Sequence, residues 1–147
     1  MDGAMGTLLQ SRGLPLGVPS ALWTLERPEE VLKVHQEYLG AGAELIFTNT
    51  FTASRKYVED VEAINRTAVK LAREVACNKA WVAGSVGPAG KEENYREQIE
   101  ILTEAGINLI ALETMTNIEE ARIAVTAAKD TINDTIPLLV SMTVNAK

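Results

Sequence analysis

Two segments of this chain follow one design. Ala41-Gly42-Ala43-Glu44-Leu45-Ile46 is echoed by Ala105-Gly106-Ile107-Asn108-Leu109-Ile110, and continuing both in register sets Thr48-Asn49-Thr50 against Leu112-Glu113-Thr114. Each copy reads as a helix end, a Gly stop, a short apolar run and then polar groups. The apolar run from Asn108 to Thr114 suits a strand covered on both faces, as in a parallel sheet. Ala80 to Ser85 supplies one further strand between the copies, which makes the copies alternate strands. Alternate strands share a layer inside a (β/α)8 barrel, so Asn49 and Glu113 are expected to look into one mouth.

The rest of the chain continues this alternation. Leu8 to Leu25, with Gly13, Pro15, Gly17 and Pro19, reads as a short helix and an irregular loop. Pro28 with Glu29 and Glu30 opens a helix, because proline fits the first turn and acidic groups suit the positive end of the dipole. Residues 44–51 form a strand, 54–79 a helix with Cys77 inside it, and 81–88 a strand running into a Gly/Pro turn. A helix over 95–105, the Glu113 strand, a helix over 118–128 and a strand over 138–144 complete the order. The repeat of about 30 residues matches one βα unit. A Gly-x-Gly-x-x-Gly fingerprint after a strand is missing, which argues against a dinucleotide fold. The fold class expected is α/β of the (β/α)8 TIM-barrel type. A whole barrel takes about 250 residues, so the 147 here amount to about its first half, one domain over 1–147.

Charge narrows the function classes. A net charge of −6 disfavours nucleic acid and anionic membranes as partners. No apolar run reaches the ~18 residues of a spanning helix, and Met1-Asp2-Gly3 does not open a secretory signal. A single cysteine, Cys77, excludes an internal disulfide framework and suits a reducing, cytoplasmic setting.

Candidate site residues sit at strand ends. Glu113 closes an apolar strand; its alternative is a solvated strand-end carboxylate. Asn49 either lines the pocket or caps the following turn. Asp2-Gly3-Ala4 reads either as an N-terminal turn or as a strand end turning into a loop whose N–H groups meet an anion. On the second reading, most of the strand before Asp2 lies outside this chain. Cys77 and His35, each alone on a helix, read as structural, and 91–97 reads as a solvated loop and helix start.

DGAMGT at 2–7, AGAELIFTNTF at 41–51, AGSVGPAG at 83–90, ALET at 111–114 and SMT at 141–143, taken in series, resemble the homocysteine S-methyltransferase domain. That domain occurs in cobalamin-dependent methionine synthase and in betaine–homocysteine methyltransferase. The resemblance runs over essentially the whole chain. It implies a (β/α)8 barrel that binds homocysteine at its C-terminal face, with Asp2 and Glu113 on the substrate ammonium and N–H groups around Gly3 and Ala4 on its carboxylate. It also implies zinc, held by three cysteines that activate the homocysteine thiol. Those ligands belong to the second half of the family barrel, beyond Lys147, so no catalytic or metal residue is expected within this chain. Cobalamin, methyltetrahydrofolate, betaine or S-methylmethionine can each be the methyl source, and a corrinoid protein or domain is an implied partner.

On this reading the chain alone is inactive. The reading from a different class is a non-catalytic binding or assembly module, since a half barrel has two open strand edges that favour pairing with another copy or with the missing half. A lysine-dependent aldolase is disfavoured because no lysine ends an assigned strand except terminal Lys147.

Overall fold

A computed structural model describes residues 1–144. Six α-helices and four strands alternate along them: α1 (Met5–Ser11), a 3₁₀ turn (Ser20–Leu22), α2 (Trp23–Glu26), α3 (Pro28–Gly40), β1 (Leu45–Phe47), α4 (Val61–Ala76), β2 (Trp81–Val86), α5 (Glu92–Glu104), β3 (Leu109–Met115), α6 (Ile118–Thr131) and β4 (Leu138–Met142). The sheet is wholly parallel in the order β1-β2-β3-β4. A doubly wound sheet reverses its strand order at a switch point, whereas this one adds each strand to the same side. The architecture is a partial TIM-barrel-like fold.

The helices pack on one face because their apolar stripes require it. Ile46, Val82, Ile110 and Leu112 from the strands meet Val69, Ala72, Ile99, Leu102, Ala124 and Ala128 from α4, α5 and α6. Each buried Val, Leu or Ile side chain contributes roughly 1.5–3 kcal/mol over its exposed state. The other sheet face carries a smaller set, Ala83, Leu109 and Ala111, flanked by Leu45, Phe47 and Leu139. At the front, Leu9, Leu14, Trp23, Val31 and Val34 pack α1 and α2 against α3. Arg12 at the end of α1 reaches Glu37 on α3 at 2.6 Å, which helps hold the segment that begins at Asp2.

Element bounds differ from expectation where turn chemistry outweighs apolar spacing. The helix expected over 54–79 starts at Val61 and stops at Ala76. Residues 51–60 instead form turns, with the Ser54 carbonyl accepting from Tyr57 and Val58, and Asn65 donating to the Ala53 carbonyl at 2.9 Å. Cys77 is not inside the helix. It is the exposed C-cap at φ 42°, followed by Asn78 at φ 61°, and these left-handed residues end the helix. The helix expected from Tyr95 begins at Glu92, whose acidic first turn suits a helix start. The helix expected over 118–128 runs on to Thr131. β1 spans only 45–47, and β4 stops at Met142. No strand precedes α1 among the described residues, but Asp2 N–H donates to the Leu45 carbonyl at 2.8 Å, one rung beside β1.

Candidate functional site

The C-terminal ends of β1, β2 and β3 open into a pocket of about 440 Å³. Gly3, Ala4, Asn49 and Glu113 line it, so four of the five residues singled out from sequence meet at one mouth. Asp2 stands beside the lining. Its Oδ2 accepts the Phe47 N–H at 2.9 Å, while its Oδ1 is buried without a hydrogen-bond partner. No Lys, Arg or His lines the pocket among the described residues.

Local sequence explains this convergence. Gly3 lets the turn pass close under Tyr38, because an added Cβ would lie 2.8 Å from its hydroxyl and would displace the ring. That hydroxyl donates to the Ala4 carbonyl at 3.3 Å and so pins the turn. α1 has Ala4 at its N-cap and no side-chain cap, which leaves first-turn N–H groups without an intrahelical partner beside the pocket. At the other wall, β3 shifts register between Leu112 and Met115, with Thr114 at φ 60°. A bulge of this kind re-aims the side chain next to it, here Glu113. Ser141 Oγ, 3.1 Å from the Thr114 nitrogen, accepts its N–H.

Asn49 uses its amide nitrogen for structure. Nδ2 donates to the Ser20 carbonyl at 2.8 Å and to Thr24 Oγ1 at 3.1 Å, bracing the 20–24 segment against the end of β1. It therefore lines the pocket and ties a loop at once.

The two carboxyls are electrostatically unlike surface acids. Burial pushes Asp2 up to about 6, and the charge of Glu113 pushes the same way, against the opposing Phe47 N–H. Burial also raises Glu113, opposed by the hydrogen bond from Ser85. Ser85 was missed in the sequence, yet its Oγ donates to Glu113 Oε1 at 2.5 Å. The available signal was its place, a small polar residue at the end of an apolar strand between the two repeated copies.

Among the described residues no group of three His, Cys, Asp or Glu is placed to hold a metal ion. Cys77 lies at the start of the segment leading into β2, at the opposite end of the strands from the pocket. The donor set present does not fit zinc. Tyr95, inside the 91–97 stretch expected to be a solvated loop and helix start, is instead fully buried, accepting from Ala89 N–H at 2.9 Å and donating to Glu120 at 3.1 Å.

Comparison with known proteins agrees with the fold. The family model described as Homocysteine S-methyltransferase matches residues 1–147. The S-methylmethionine–homocysteine S-methyltransferase BHMT2 of Pongo abelii is 32% identical over 145 residues, covering 88% of this chain and 39% of its own length. Homocysteine S-methyltransferase 1 of Arabidopsis thaliana is 28% identical, covering 85% of this chain and 52% of its own. The crystal structure of the homocysteine methyltransferase MmuM from Escherichia coli, metallated form, superposes with a TM-score of 0.83 at 26% identity, over 98% of this chain and 62% of that one. The chain thus spans about half the length of the curated relatives it matches. It belongs to the homocysteine S-methyltransferase family.

Proposed function

We propose that this chain supplies the amino-acid pocket of a homocysteine S-methyltransferase, in which a methyl group passes to the homocysteine sulfur and gives methionine. One observation carries the reading. Asp2 keeps a buried, unpartnered Oδ1 close enough to Glu113 to feel its charge, and no cationic side chain lines the pocket. Two partly desolvated carboxyls facing an uncharged wall call for a cationic ligand, and a substrate ammonium is one. N–H groups around Gly3 and Ala4 would take the substrate carboxylate, since both residues line the same wall. Held at its ammonium and carboxylate, the amino acid would direct its thiol away from both.

The zinc that the resemblance implies would activate that thiol, but the described residues offer it no ligand set. We therefore assign the metal and the transfer step to residues outside this chain, and expect these residues alone to be inactive. The methyl source stays among S-methylmethionine, betaine, methyltetrahydrofolate and methylcobalamin, the last delivered by a corrinoid partner.

The test is calorimetric titration of the full natural polypeptide with L-homocysteine and with 4-mercaptobutanoic acid, which lacks the amino group. Homocysteine should bind at least ten-fold more tightly. Equal affinity would overturn the ammonium assignment.

A second reading is an assembly module. It is favoured by Trp81, 58% exposed, and by Val140 and Met142 on the outermost strand β4, 42% and 45% exposed. An apolar edge strand of this kind promotes pairing with another chain. Sedimentation of the full polypeptide as a monomer at micromolar concentration would remove it.

A further inference from the structure

β1 ends at Phe47, yet its pairing with β2 continues through side chains. The Thr48 N–H donates to the Ala83 carbonyl at 2.9 Å, and beyond that rung three hydroxyl-bearing residues replace the ladder. The Ser85 N–H donates to Thr48 Oγ1 at 3.1 Å, and Thr50 Oγ1 donates to the Ser85 carbonyl at 2.6 Å. Thr48 Oγ1 and Thr50 Oγ1 lie 2.6 Å apart. The proton count fixes the direction of that last bond. Thr50 has one hydroxyl proton and spends it on the Ser85 carbonyl, so Thr48 must donate to Thr50. The bonds close a ring: Ser85 N–H to Thr48, Thr48 to Thr50, Thr50 to the Ser85 carbonyl. All three residues are at most 3% exposed, so water does not compete with the ring and its members polarise one another.

The ring clamps both sides of the Ser85 backbone, and the remaining Ser85 hydroxyl is the group that meets Glu113 Oε1. We infer that Thr48, Thr50 and Ser85 form a positioning device that holds the Glu113 carboxylate ionised and aimed into the pocket, Ser85 acting directly and the two threonines through it. This inference rests on the amino-acid-pocket reading for what Glu113 then binds, but not for the device itself.

The surroundings leave few other groups to set the state of Glu113. β2 and β4 carry no titratable residue. On α6, Glu120 is engaged by Tyr95 and by the Gly90 N–H, and the remaining charged groups Glu119, Arg122, Lys129 and Asp130 lie outside the pocket lining. Asp2 is the acid that feels Glu113 across the mouth. A hydrogen bond donated to the ionised form favours it, so removing the Ser85 hydroxyl should make Glu113 easier to protonate.

The experiment compares the full natural polypeptide with Ser85→Ala, Ser85→Thr, Thr48→Val and Thr50→Val. Two readouts are taken: the carboxyl ¹³C titration of Glu113 by NMR, and the pH dependence of L-homocysteine affinity. Ser85→Ala should move the Glu113 titration upward and weaken binding at neutral pH about ten-fold, the scale of one hydrogen bond to a charged group. Ser85→Thr should restore both, and each Thr→Val change should move the titration in the same direction by less. An unmoved Glu113 titration in a folded Ser85→Ala protein would overturn the inference. Failure of the wild type to bind homocysteine would instead overturn the substrate reading, because the NMR titration judges the positioning device without ligand.

Discussion

Asp2 and Phe47 are joined by a hydrogen bond that leaves half of the carboxyl free: Oδ2 accepts the Phe47 N–H at 2.9 Å, and Oδ1 is buried with no partner. The bond locks the turn before α1 to the last residue of β1, so the free oxygen has a fixed position at the pocket's edge. An unpaired buried oxygen costs stability unless a ligand completes it.

Asp2→Asn should therefore separate stability from binding. The asparagine oxygen can still accept from Phe47, and the charge that burial opposes is gone. We expect the melting temperature to hold or rise while homocysteine affinity drops at least ten-fold, about the effect of losing one charge-assisted bond. Thermal unfolding beside calorimetry checks both halves. A fall in both would mean the carboxylate is structural.

The same carboxyl sets a pH dependence whose sign is opposed elsewhere. Asp2 lies at about 6 in the fold against 3.8 free, so between those values the folded state holds the extra proton and stability falls as pH rises. Glu113, also raised, acts in the same direction. His35 is fully buried, with neither ring nitrogen hydrogen-bonded, and burial holds it down at about 4. Between about 4 and 6.5 the unfolded chain holds that proton instead, and stability rises with pH. The trends oppose one another in the wild type. Urea midpoints across this window should rise with pH more steeply in Asp2→Asn than in wild type, and fall with pH in His35→Phe. Identical slopes in all three proteins would contradict the two burial shifts.

Much of the fold was legible because its signals were local and repeated. Gly stops followed by apolar runs placed β1 and β3, an apolar run closing in a Gly/Pro turn placed β2, and the in-register echo put Asn49 and Glu113 in one mouth, where both are found. What escaped depended on contacts distant in sequence. The turns at 51–60 are held by Asn65 and by Lys56 and Tyr57 reaching the Pro88 carbonyl, which apolar spacing does not report. Ser85 gains its meaning only when β2 lies beside Glu113, and the dual task of Asn49 appears only once Ser20 and Thr24 fold over it. The left-handed Thr114 had no signal, since a β-branched residue is among the last expected there.

Gly87 should tolerate no side chain. Its N–H donates to the Phe51 carbonyl at 3.1 Å, and an added Cβ would sit 2.5 Å from that same oxygen. The obstacle is main chain, which cannot rotate aside as a side chain can. Gly87→Ala should cost about 1–3 kcal/mol in urea unfolding, the usual range for overpacking. Adding Phe51→Ala should not recover it, because truncating the ring leaves the carbonyl in place. Full recovery in the double variant would show that the ring, 2.9 Å from the same Cβ, was the true obstacle.

Thr114 offers the opposite case, a strained residue whose relief should stabilise. At φ 60° its β-branched side chain occupies a backbone region that favours Gly and Asn, at a cost of order 1–3 kcal/mol. The conformation persists because it forms the bulge next to Glu113 and because Ser141 accepts the Thr114 N–H. Thr114→Asn keeps the N–H and accepts the left-handed region, so it should raise unfolding stability by about 1 kcal/mol without moving Glu113. Thr114→Gly relieves the same strain but frees the backbone, adding entropy to the unfolded chain and loosening the bulge. Homocysteine affinity should therefore hold in Thr114→Asn and fall in Thr114→Gly, measured by calorimetry beside urea unfolding. Equal loss of affinity in both would mean that the threonine side chain itself, which lines the pocket, contacts the ligand.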